Sequence, residues 1–362
     1  MDSLVDQQLF GDVYHNKKVL ITGITGFKGS WLAVWLQMMG AKVVGVGLEP
    51  DTSPSHFELL NLEFHHIDIR NIEDLESFIT TEEPDLIFHL AAQALVRRSY
   101  KEPIYTYNTN VIGSLNLYSA CIGLKSLKGI VSVTSDKVYE NKEQYQPYKE
   151  DDELGGYDMY SSSKACMELM TSSYVRSYNE LLNFPIVTAR AGNVIGGGDW
   201  AEDRLIPDLV RATEKEETVI IRSPDAIRPW QHVLEPLSGY LVLGQNLLSA
   251  NKMVSGSWNF GPQTQKYIAV KDVLRIAQLK WKNIRFEYKE QDDKLHEAGL
   301  LSVDSSKANS LLNWSPVWET AKAINITIAW YKSFISTGDT YTTNDILSYV
   351  ADARNHKLSW AR

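Results

Sequence analysis

Tyr160 and Lys164, in the stretch Tyr-Ser-Ser-Ser-Lys, have the types and the spacing for proton transfer. Residues four positions apart lie on one face of a helix, so we expect the phenol and the ammonium to be neighbours. A free tyrosine, with a pKa of about 10, is a poor base at neutral pH. A nearby positive charge favours the phenolate, and the pair can then take a proton from a hydroxyl group.

Ser135 supplies a hydroxyl group to the same predicted centre. It follows residues 130–134, an apolar run that we interpret as a strand, within the sequence Thr-Ser-Asp-Lys-Val-Tyr. At the carboxyl end of a strand its hydroxyl can hold the reacting oxygen. The combination is informative because the helix that carries Tyr160 follows this strand. In the alternative interpretation Tyr160 is a packing tyrosine and Lys164 is a solvated helix lysine.

The first half of the chain, which must position these residues, alternates short apolar runs with longer helical patterns. The runs are rich in Val, Ile and Leu and lack polar–apolar alternation, as in a parallel sheet that is buried on both faces. This order predicts an α/β fold with a doubly wound parallel sheet, whose ligands lie beyond the carboxyl ends of the strands. The predicted strands are residues 18–22, 42–47, 63–68, 85–90, 130–134 and 184–190, and the helices between them include 30–39, 72–80, 104–121 and 160–178.

The turn after the first strand is rich in glycine. Residues 19–30 read Val-Leu-Ile-Thr-Gly-Ile-Thr-Gly-Phe-Lys-Gly-Ser, which is a strand, a Gly-x-x-Gly-x-x-Gly turn and the start of a helix. Glycines let the backbone approach a pyrophosphate, whose charge is met by N–H groups at the helix N-terminus. In this context the turn predicts a Rossmann-type dinucleotide site rather than a plain strand–helix connection.

We predict that the dinucleotide is NAD. The second strand ends at Gly47 without the usual ribose carboxylate, and Glu49, slightly further on, is either a ribose ligand or a solvated loop residue. No arginine follows closely to bind a 2′-phosphate, which favours NAD over NADP. Asp68, at the end of the third strand, can accept a hydrogen bond from an adenine amino group. The residues predicted to contact the cofactor are Gly23, Thr25, Gly26, Phe27, Lys28, Gly29, Asp68, Ile69, Leu90, Ala91, Ala92, Thr109, Tyr160 and Lys164.

After about residue 190 the strand–helix alternation ends, and glycines at 196–198 precede a polar, proline-containing region. We expect a dinucleotide-binding domain over residues 1–190 and a smaller mixed α/β substrate domain over 191–362. The later part should return to the main sheet once, in a segment near 230–260 with its strand at 257–260. Short helices are predicted at 207–215, 270–280 and 305–312, and an isolated strand at 218–222.

Composition and charge limit the class of protein. A net charge of −9 argues against a nucleic-acid or anionic-membrane partner. Two cysteines are too few for a disulfide framework, which favours a reducing cytoplasm. No signal-peptide pattern is found, and no apolar run approaches the ~20 residues of a membrane span. We expect a cytoplasmic protein and predict no metal site.

With these residues assembled, the chain resembles the nucleotide-sugar 4,6-dehydratases among the extended short-chain dehydrogenases, and within them those that act on CDP-glucose. The glycine turn and the Tyr/Lys pair identify only the superfamily. The resemblance rests on Thr-Ser-Asp-Lys at 134–137 and on residues 160–166, with support from 189–200, 203–207, 227–233 and His-Glu-Ala at 296–298. The far more selective stretches are Gly-Gly-Gly-Asp-Trp, which ends at residue 200, and Arg-Pro-Trp-Gln-His within 227–233. The resemblance runs from about residue 15 to residue 332.

The resemblance implies a hydro-lyase reaction that converts CDP-glucose to CDP-4-dehydro-6-deoxy-glucose without net redox change. Tyr160 takes the proton of the sugar's 4-hydroxyl as hydride passes from C4 to NAD. The 4-ketone acidifies the C5 proton, water leaves across C5–C6, and hydride returns to C6. Asp136 is suited to protonate the departing 6-hydroxyl. The predicted catalytic residues are Ser135, Asp136, Lys137, Tyr160 and Lys164.

Lys137 departs from the related dTDP-glucose dehydratases, which carry a glutamate there that is taken as the C5 base. Lysine can act as a base only when it is neutral, which requires burial or nearby positive charge. Lys164 and the oxidised cofactor could supply that charge. We hypothesise that Lys137, or a water that it orders, removes the C5 proton. The alternative is that Lys137 is a charge partner that holds Asp136.

Basic residues in the second half are candidates for the substrate's pyrophosphate. Single arginines belong more often to surface ion pairs, but these lie beside Gly- and Pro-rich loops, and arginine suits bidentate phosphate recognition. The preference for cytidine comes from the resemblance alone. The predicted substrate contacts are Gln93, Ser135, Asn193, Arg204, Leu205, Arg222, Arg228 and His296.

The helices at 104–121 and 160–178 carry apolar residues on more than one face, which favours burial against a second subunit. The resemblance likewise implies a homodimer, or a dimer of dimers, built on a four-helix bundle. In the alternative, loops of the same chain cover these helices.

Two rival functions are considered. A nucleotide-sugar 4-epimerase or decarboxylase shares the fold, the cofactor and the Tyr/Lys pair, but an epimerase needs no group to expel a 6-hydroxyl, so Asp136 and Lys137 favour a dehydratase. A non-catalytic NAD(H)-sensing protein would need none of Ser135, Tyr160 and Lys164.

Overall fold

A computed structural model describes residues 8–251, 254–262, 268–289 and 300–362. The strands are β1 (Lys18–Thr22), β2 (Lys42–Gly47), β3 (His65–His66), β4 (Leu86–His89), β5 (Ile130–Val133), β6 (Ile186–Ala191), β7 (Val194–Ile195), β8 (Val219–Ile221), β9 (Ile227–Arg228), β10 (Gln231–His232), β11 (Gly256–Phe260), β12 (Ile268–Ala269) and β13 (Phe286–Tyr288). The α-helices are α1 (Phe27–Met38), α2 (His56–Leu59), α3 (Ile72–Glu82), α4 (Val96–Lys101), α5 (Pro103–Tyr107), α6 (Gly113–Ala120), α7 (Met159–Ser177), α8 (Leu205–Glu214), α9 (Leu234–Leu248), α10 (Val270–Lys280), α11 (Ser306–Leu312), α12 (Thr320–Thr337) and α13 (Thr342–Asn355). A π-turn over Asn108–Ile112 joins α5 to α6, and short 3₁₀ helices cover Leu9–Asp12, Asp136–Val138 and Ser359–Ala361. None of the helices in the described ranges is long and apolar enough to cross a membrane.

The central sheet has seven parallel strands in the order β3-β2-β1-β4-β5-β6-β11. This confirms the doubly wound sheet. The chain leaves β1 first towards β3 and then, from β4, in the opposite direction, so the strand order reverses between β1 and β4. A crevice for ligands is expected at the carboxyl ends of the strands at this reversal.

The sheet is buried on both faces, which explains the absence of alternation in its sequence. Leu20 of β1 belongs to an apolar cluster with α3 and α6. Its neighbours Val19 and Ile21 point to the opposite face, into the cluster that contains α1, α9 and α13. Every residue of β5 is buried. A strand with two covered faces has no polar side to reveal its period.

The return to the sheet is made by α9 and β11. β11 pairs parallel to β6, with Trp258 beside Ala189, and α9 packs against the same side of β4, β5, β6 and β11. Helix α9 is buried almost throughout, so its apolar residues show no single helical face. The return strand agrees with the prediction from the sequence, whereas helices α9, α12 and α13 were not predicted.

Three small two-stranded sheets, β7-β10, β9-β12 and β8-β13, lie outside the main sheet. The main apolar cluster contains residues from both halves of the chain, among them Ile21 of β1 and Trp330 of α12. The division into two domains at about residue 190 therefore stays a prediction.

The three glycines that follow β7 let α12 approach the turn closely. A Cβ on Gly197 would lie 2.0 Å from the Trp330 ring, and a Cβ on Gly198, whose φ is +80°, would lie 2.4 Å from the His56 ring. Side chains there would displace both rings. This glycine cluster thus has a packing role at the base of the loop that carries Asp199.

Candidate active site

The glycine turn packs against the segment that follows β4. Gly23 has φ +72°, and a Cβ on it would lie 2.7 Å from Ala91 Cα. A Cβ on Gly29 would lie 2.2 Å from the carbonyl oxygen of Gly23. Gly26 is the N-cap of α1, so the N-terminus of that helix faces the crevice, with its first N–H groups outside the helical hydrogen-bond pattern. Close backbone packing and open N–H groups are what a pyrophosphate site requires.

The π-turn presents a buried polar group to the same crevice. Thr109 is buried, and its Oγ1 has no hydrogen-bond partner among the described residues. Ile69 packs against Gly113, where a Cβ would lie 2.6 Å from Ile69 Cδ1. A buried hydroxyl without a partner is costly unless a ligand supplies one. The residues present therefore fit a dinucleotide along β1, β4 and the π-turn.

Asp68 lies at the other end of this crevice, where it is bound by Arg70. Its carboxylate accepts hydrogen bonds from the Arg70 backbone N–H at 2.9 Å and from the guanidinium group, and the Arg70 hydrogen bond lowers the pKa of Asp68. Both residues line an open pocket of about 660 Å³ together with Asn108 and Ile112. Glu49 is exposed and lies 3.4 Å from His66, as expected of a solvated loop residue.

Tyr160 is held in the first turn of α7. Asp158 caps the helix by accepting from the Ser161 backbone N–H at 2.9 Å, and the Ser99 hydroxyl accepts from the Tyr160 backbone N–H at 3.1 Å. Burial raises the pKa of the Tyr160 phenol to about 12, while a hydrogen bond with Ser135 acts in the opposite direction. The structure thus brings Ser135 and Tyr160 together as predicted.

Lys164 lies one turn further along α7 and is buried. Its ammonium donates to the carbonyl oxygen of Val133, the last residue of β5, at 3.0 Å. Burial lowers the pKa of Lys164 to about 7; Lys28 lowers it further and Glu168 raises it. The bond to Val133 fixes the charge under the end of the strand that carries Ser135.

Asp136 is buried beside the Tyr160 phenol. Its Oδ1 accepts a hydrogen bond from the Ser135 hydroxyl at 3.1 Å, and its Oδ2 has no partner among the described residues. Burial raises the pKa of Asp136, whereas the charges of Lys137, Lys28 and Arg228 and the Ser135 hydrogen bond lower it. A carboxyl group in this setting can keep a proton for donation.

Lys137 is partly exposed, next to Asp136. Its backbone N–H donates to the Ser135 hydroxyl at 3.2 Å, within the 3₁₀ turn that Ser135 caps. Its side-chain charge acts on Asp136. Both interpretations of this lysine, as a base and as a charge partner, are compatible with this position.

The loop after β7 brings Arg204 into the candidate site, where its charge interacts with Tyr160. Its Nη1 lies 2.6 Å from the buried Asp199 carboxylate, and this ion pair raises the pKa of Arg204. The positive charge lowers the pKa of Tyr160. Arg228 is buried in β9, where its Nη1 donates to the Ile227 carbonyl oxygen at 2.9 Å.

Comparisons with known proteins agree with this arrangement. The sequence model of the family described as GDP-mannose 4,6 dehydratase matches residues 20–327. The CDP-glucose 4,6-dehydratase of Salmonella typhimurium is 44% identical over 331 residues, which cover 89% of this chain and 92% of that protein. The chain belongs to the GDP-mannose 4,6-dehydratase family. Membership confirms the resemblance to nucleotide-sugar 4,6-dehydratases.

Solved structures confirm the fold of this family member. A UDP-glucose 4-epimerase from Stenotrophomonas maltophila with bound NAD and formylated UDP-arabinopyranose superposes with a TM-score of 0.77 at 21% identity, over 90% of this chain and 100% of that one. A UDP-glucose 4-epimerase from Brucella ovis in complex with NAD has a TM-score of 0.74 at 20% identity, over 86% and 97% of the two chains.

The other residues predicted to contact the substrate lie in several different elements of the fold. Gln93 is buried, and its amide nitrogen donates to the Leu95 carbonyl oxygen and the Thr106 hydroxyl, so it shapes the loop after β4. Asn193 lies between β6 and β7, Leu205 is the first residue of α8, and Arg222 follows β8. His296 lies outside the described residues. The described residues contain no cluster of three or more His, Cys, Asp or Glu side chains suited to a metal ion.

A buried ion pair behind Lys164 was not predicted. Glu168, one turn beyond Lys164 on α7, lies 2.9 Å from Arg190 of β6, and the two side chains are 4% and 3% exposed. Thr134 and Thr188 also donate to the Glu168 carboxylate. The charged residues at 168 and 190 were visible in the sequence, but nothing local indicated that they meet between a helix and a strand.

Proposed function

We propose that this chain is a CDP-glucose 4,6-dehydratase, an NAD-dependent hydro-lyase that forms CDP-4-dehydro-6-deoxy-D-glucose. The observation that carries the reaction type is Asp136, a buried carboxyl group with one oxygen unpartnered in the described structure, beside Tyr160. A 4-epimerase needs the phenol but no acid for a 6-hydroxyl. The choice of CDP-glucose rests on the 44% identity to the Salmonella enzyme.

NAD is supported by family membership, by the close-packed glycine turn and by the unpartnered Thr109 hydroxyl. The residues proposed to hold it are those of the turn, Gly23 to Gly29, with Asp68, Ile69, Leu90, Ala91, Ala92, Thr109, Tyr160 and Lys164. When bound, NAD accepts hydride from C4 of the sugar and returns hydride to C6.

In this proposal Tyr160 is the base for the 4-hydroxyl. Burial alone works against the phenolate, so Tyr160 needs positive charge and hydrogen-bond donors around it. Ser135 and Arg204 both lower the pKa of the phenol. Lys164, on the same helix and anchored on Val133, adds positive charge when it is protonated, and its pKa of about 7 places that protonation near neutral pH.

Asp136 is the proposed acid for the 6-hydroxyl, since burial favours its protonated form. Lys137, or a water that it orders, is the proposed base for the C5 proton. A Lys137→Ala variant should still oxidise C4 but lose solvent exchange at C5. Unchanged turnover would remove Lys137 from the mechanism and favour its role as a charge partner of Asp136.

Arg204, Arg222 and Arg228, with Asn193, Leu205, Gln93 and His296, are the proposed substrate contacts. Arg204 acts close to the reacting hydroxyl, because its charge reaches Tyr160. In this proposal Arg222 and Arg228, which flank the loop between β8 and β9, bind the pyrophosphate of the substrate. In this proposal residues 191–362 mainly bind the nucleotide sugar.

We propose a homodimer formed through α5, α6 and α7. Ile104 of α5 and Leu169 of α7 expose 76% and 57% of their surface, and Ile112 of the intervening π-turn exposes 45%. Helix α7 packs directly against α5 and the π-turn. A second copy that contributes the same helices would cover them in a four-helix bundle. The two free thiols, Cys121 and Cys166, agree with our proposal of a cytoplasmic location.

The test is incubation with CDP-glucose and NAD, followed by the ultraviolet absorbance of a 4-keto sugar in alkali. The UDP-, dTDP- and GDP-sugars are assayed in parallel and identify the base that is preferred. A 4-epimerised sugar without deoxygenation would replace the proposal by an epimerase. Binding of NAD(H) without conversion of any sugar would favour a sensing protein.

A further inference from the structure

Lys28 of the glycine turn directs its side chain towards the reaction centre. It is the second residue of α1, and its ammonium lies 5.9 Å from the centre of the Tyr240 ring. Its charge acts on Asp136, which follows β5, and on Lys164, which lies on α7. It also acts on Asp199 and Arg204 of the loop after β7. Two of these groups, Asp136 and Arg204, also act on the Tyr160 phenol, so the Lys28 side chain belongs to the same charged region.

Two buried polar atoms near Lys28 lack protein partners in the described structure. Neither Asp136 Oδ2 nor the Tyr240 hydroxyl has a hydrogen-bond partner among the described residues, and the Lys28 ammonium lies over the Tyr240 ring. Asp136 and Tyr240 are buried, and Lys28 is partly buried. Groups of this kind are stabilised when a polar ligand satisfies them. Their chemistry, an ammonium beside a carboxyl group, suits the oxygen of a leaving hydroxyl.

We propose that Lys28 is a further catalytic residue, whose ammonium donates a hydrogen bond to the 6-hydroxyl oxygen of the sugar while Asp136 delivers the proton. This proposal rests on the dehydratase function proposed above. In the step, the C6–O bond breaks and its electron pair goes to oxygen, which takes the Asp136 proton and leaves as water. The C5–H electron pair forms the C5–C6 double bond, and the C5 proton goes to the base. The Lys28 ammonium stabilises the charge that develops on oxygen and is not consumed.

The backbone and the side chain of Lys28 would then serve different ligands. Its N–H group, in the first turn of α1, remains available to a pyrophosphate. Burial lowers the pKa of Lys28 to about 8, with Arg204 lowering it and Asp136 and Asp199 raising it. The side chain is therefore mostly protonated at neutral pH and loses its charge above about pH 8.

The experiment compares Lys28→Met with the natural protein on two substrates, CDP-glucose and CDP-6-deoxy-6-fluoro-glucose. Fluoride departs without a proton and gives the same product after hydride return. We expect Lys28→Met to slow dehydration of CDP-glucose by about 10²-fold, and to slow the loss of fluoride as well, since fluoride leaves with an unprotonated negative charge. NAD affinity, measured by quenching of protein fluorescence, and the single-turnover rate of C4 oxidation should be unchanged. Lys271→Met, which removes an exposed lysine paired with Asp225, is the matched control.

Three outcomes overturn the inference. A slower C4 oxidation in a single turnover, or a weakened NAD affinity, would make Lys28 a cofactor residue. Full activity of Lys28→Met would remove it from the step. Absence of turnover by the natural protein is a failure of the proposed function, and the inference falls with it. Lys28→Gln, which keeps a hydrogen-bond donor without the charge, is assayed as a second variant. Thermal unfolding of both variants shows whether either one has a folding defect.

Discussion

Asp136 Oδ2 lies 2.8 Å from the point that a Cβ on Gly192 would occupy. Gly192 follows β6, so the end of this strand leaves just enough room for the carboxyl group that carries the proposed acid function. The same Cβ would lie 2.4 Å from Pro229 Cγ. Contacts of this length cannot be accommodated without displacement of a neighbour.

Gly192→Ala should therefore move Asp136 and slow dehydration, while C4 oxidation, for which Tyr160 is the proposed base, continues. A displacement of about 1 Å at a reacting group can cost about 10²-fold in rate. The measurement is product formation against reduction of bound NAD in a single turnover. In Gly192→Ala/Pro229→Ala the contact with the proline is removed, and a persistent loss would assign the effect to Asp136. Equal loss of both half-reactions would contradict the prediction.

The buried ion pair of Glu168 and Arg190 should contribute more to the free energy of unfolding than an exposed ion pair does. Replacing Glu168 by Gln leaves the Arg190 guanidinium buried without a counter-charge, which typically costs about 3–5 kcal/mol. Urea unfolding should show this loss for Glu168→Gln, and a smaller one for Glu168→Gln/Arg190→Met. The exposed pair Lys142 and Glu153 supplies the control, since Glu153→Gln should leave the unfolding midpoint unchanged.

The sheet, and the placement of Tyr160 and Lys164 on one helix, could be predicted because their signals are local. Strand β1, the glycine turn and the four-residue spacing of Tyr160 and Lys164 are each written within a few neighbouring residues. β1 and β2 agree with the prediction at both ends, whereas β3 is reduced to His65–His66 because only two of its residues pair with β2.

The rest of the site depends on contacts between distant segments. Lys28 was assigned to the cofactor from its place in the turn, and its proximity to Asp136 became visible only when α1 and β5 were placed together. Arg70 lies two residues beyond Asp68, yet its bond to that carboxylate depends on the turn geometry after β3. Helix α9 was missed because burial on all sides removes the amphipathic pattern.

His56 should make stability depend on pH. It is buried between the hydroxyls of Ser30 and Thr342, each 2.7 Å from a ring nitrogen, and burial lowers its pKa to about 3. In the unfolded chain its pKa is about 6.5. Between these two pKa values the unfolded state binds a proton at His56 and the folded state does not. The contribution of His56 to the free energy of unfolding is therefore complete above pH 6.5 and is lost as the pH falls towards 3.

His56→Gln should accordingly be less stable at pH 7.5, since ring packing and hydrogen bonds are lost, but should show a flatter decline of the unfolding free energy between pH 6.5 and 4. Urea unfolding across this range measures both. His66→Gln, at an exposed histidine, serves as the control and should run parallel to the natural protein. Parallel curves for His56→Gln would show that His56 titrates alike in both states.

Leu169→Glu should separate the proposed homodimer into monomers. Leu169 is 57% exposed on α7, and a carboxylate there would have to be desolvated, and placed near its symmetry mate, if two copies of the helix pack together. Sedimentation velocity should show half the mass of the natural protein, with secondary structure preserved because the side chain is not part of the core. Leu279→Glu, at an 81% exposed position on α10, should leave the assembly state unchanged. A dimer that survives Leu169→Glu, or dissociates with Leu279→Glu, would move the interface away from α5, α6 and α7.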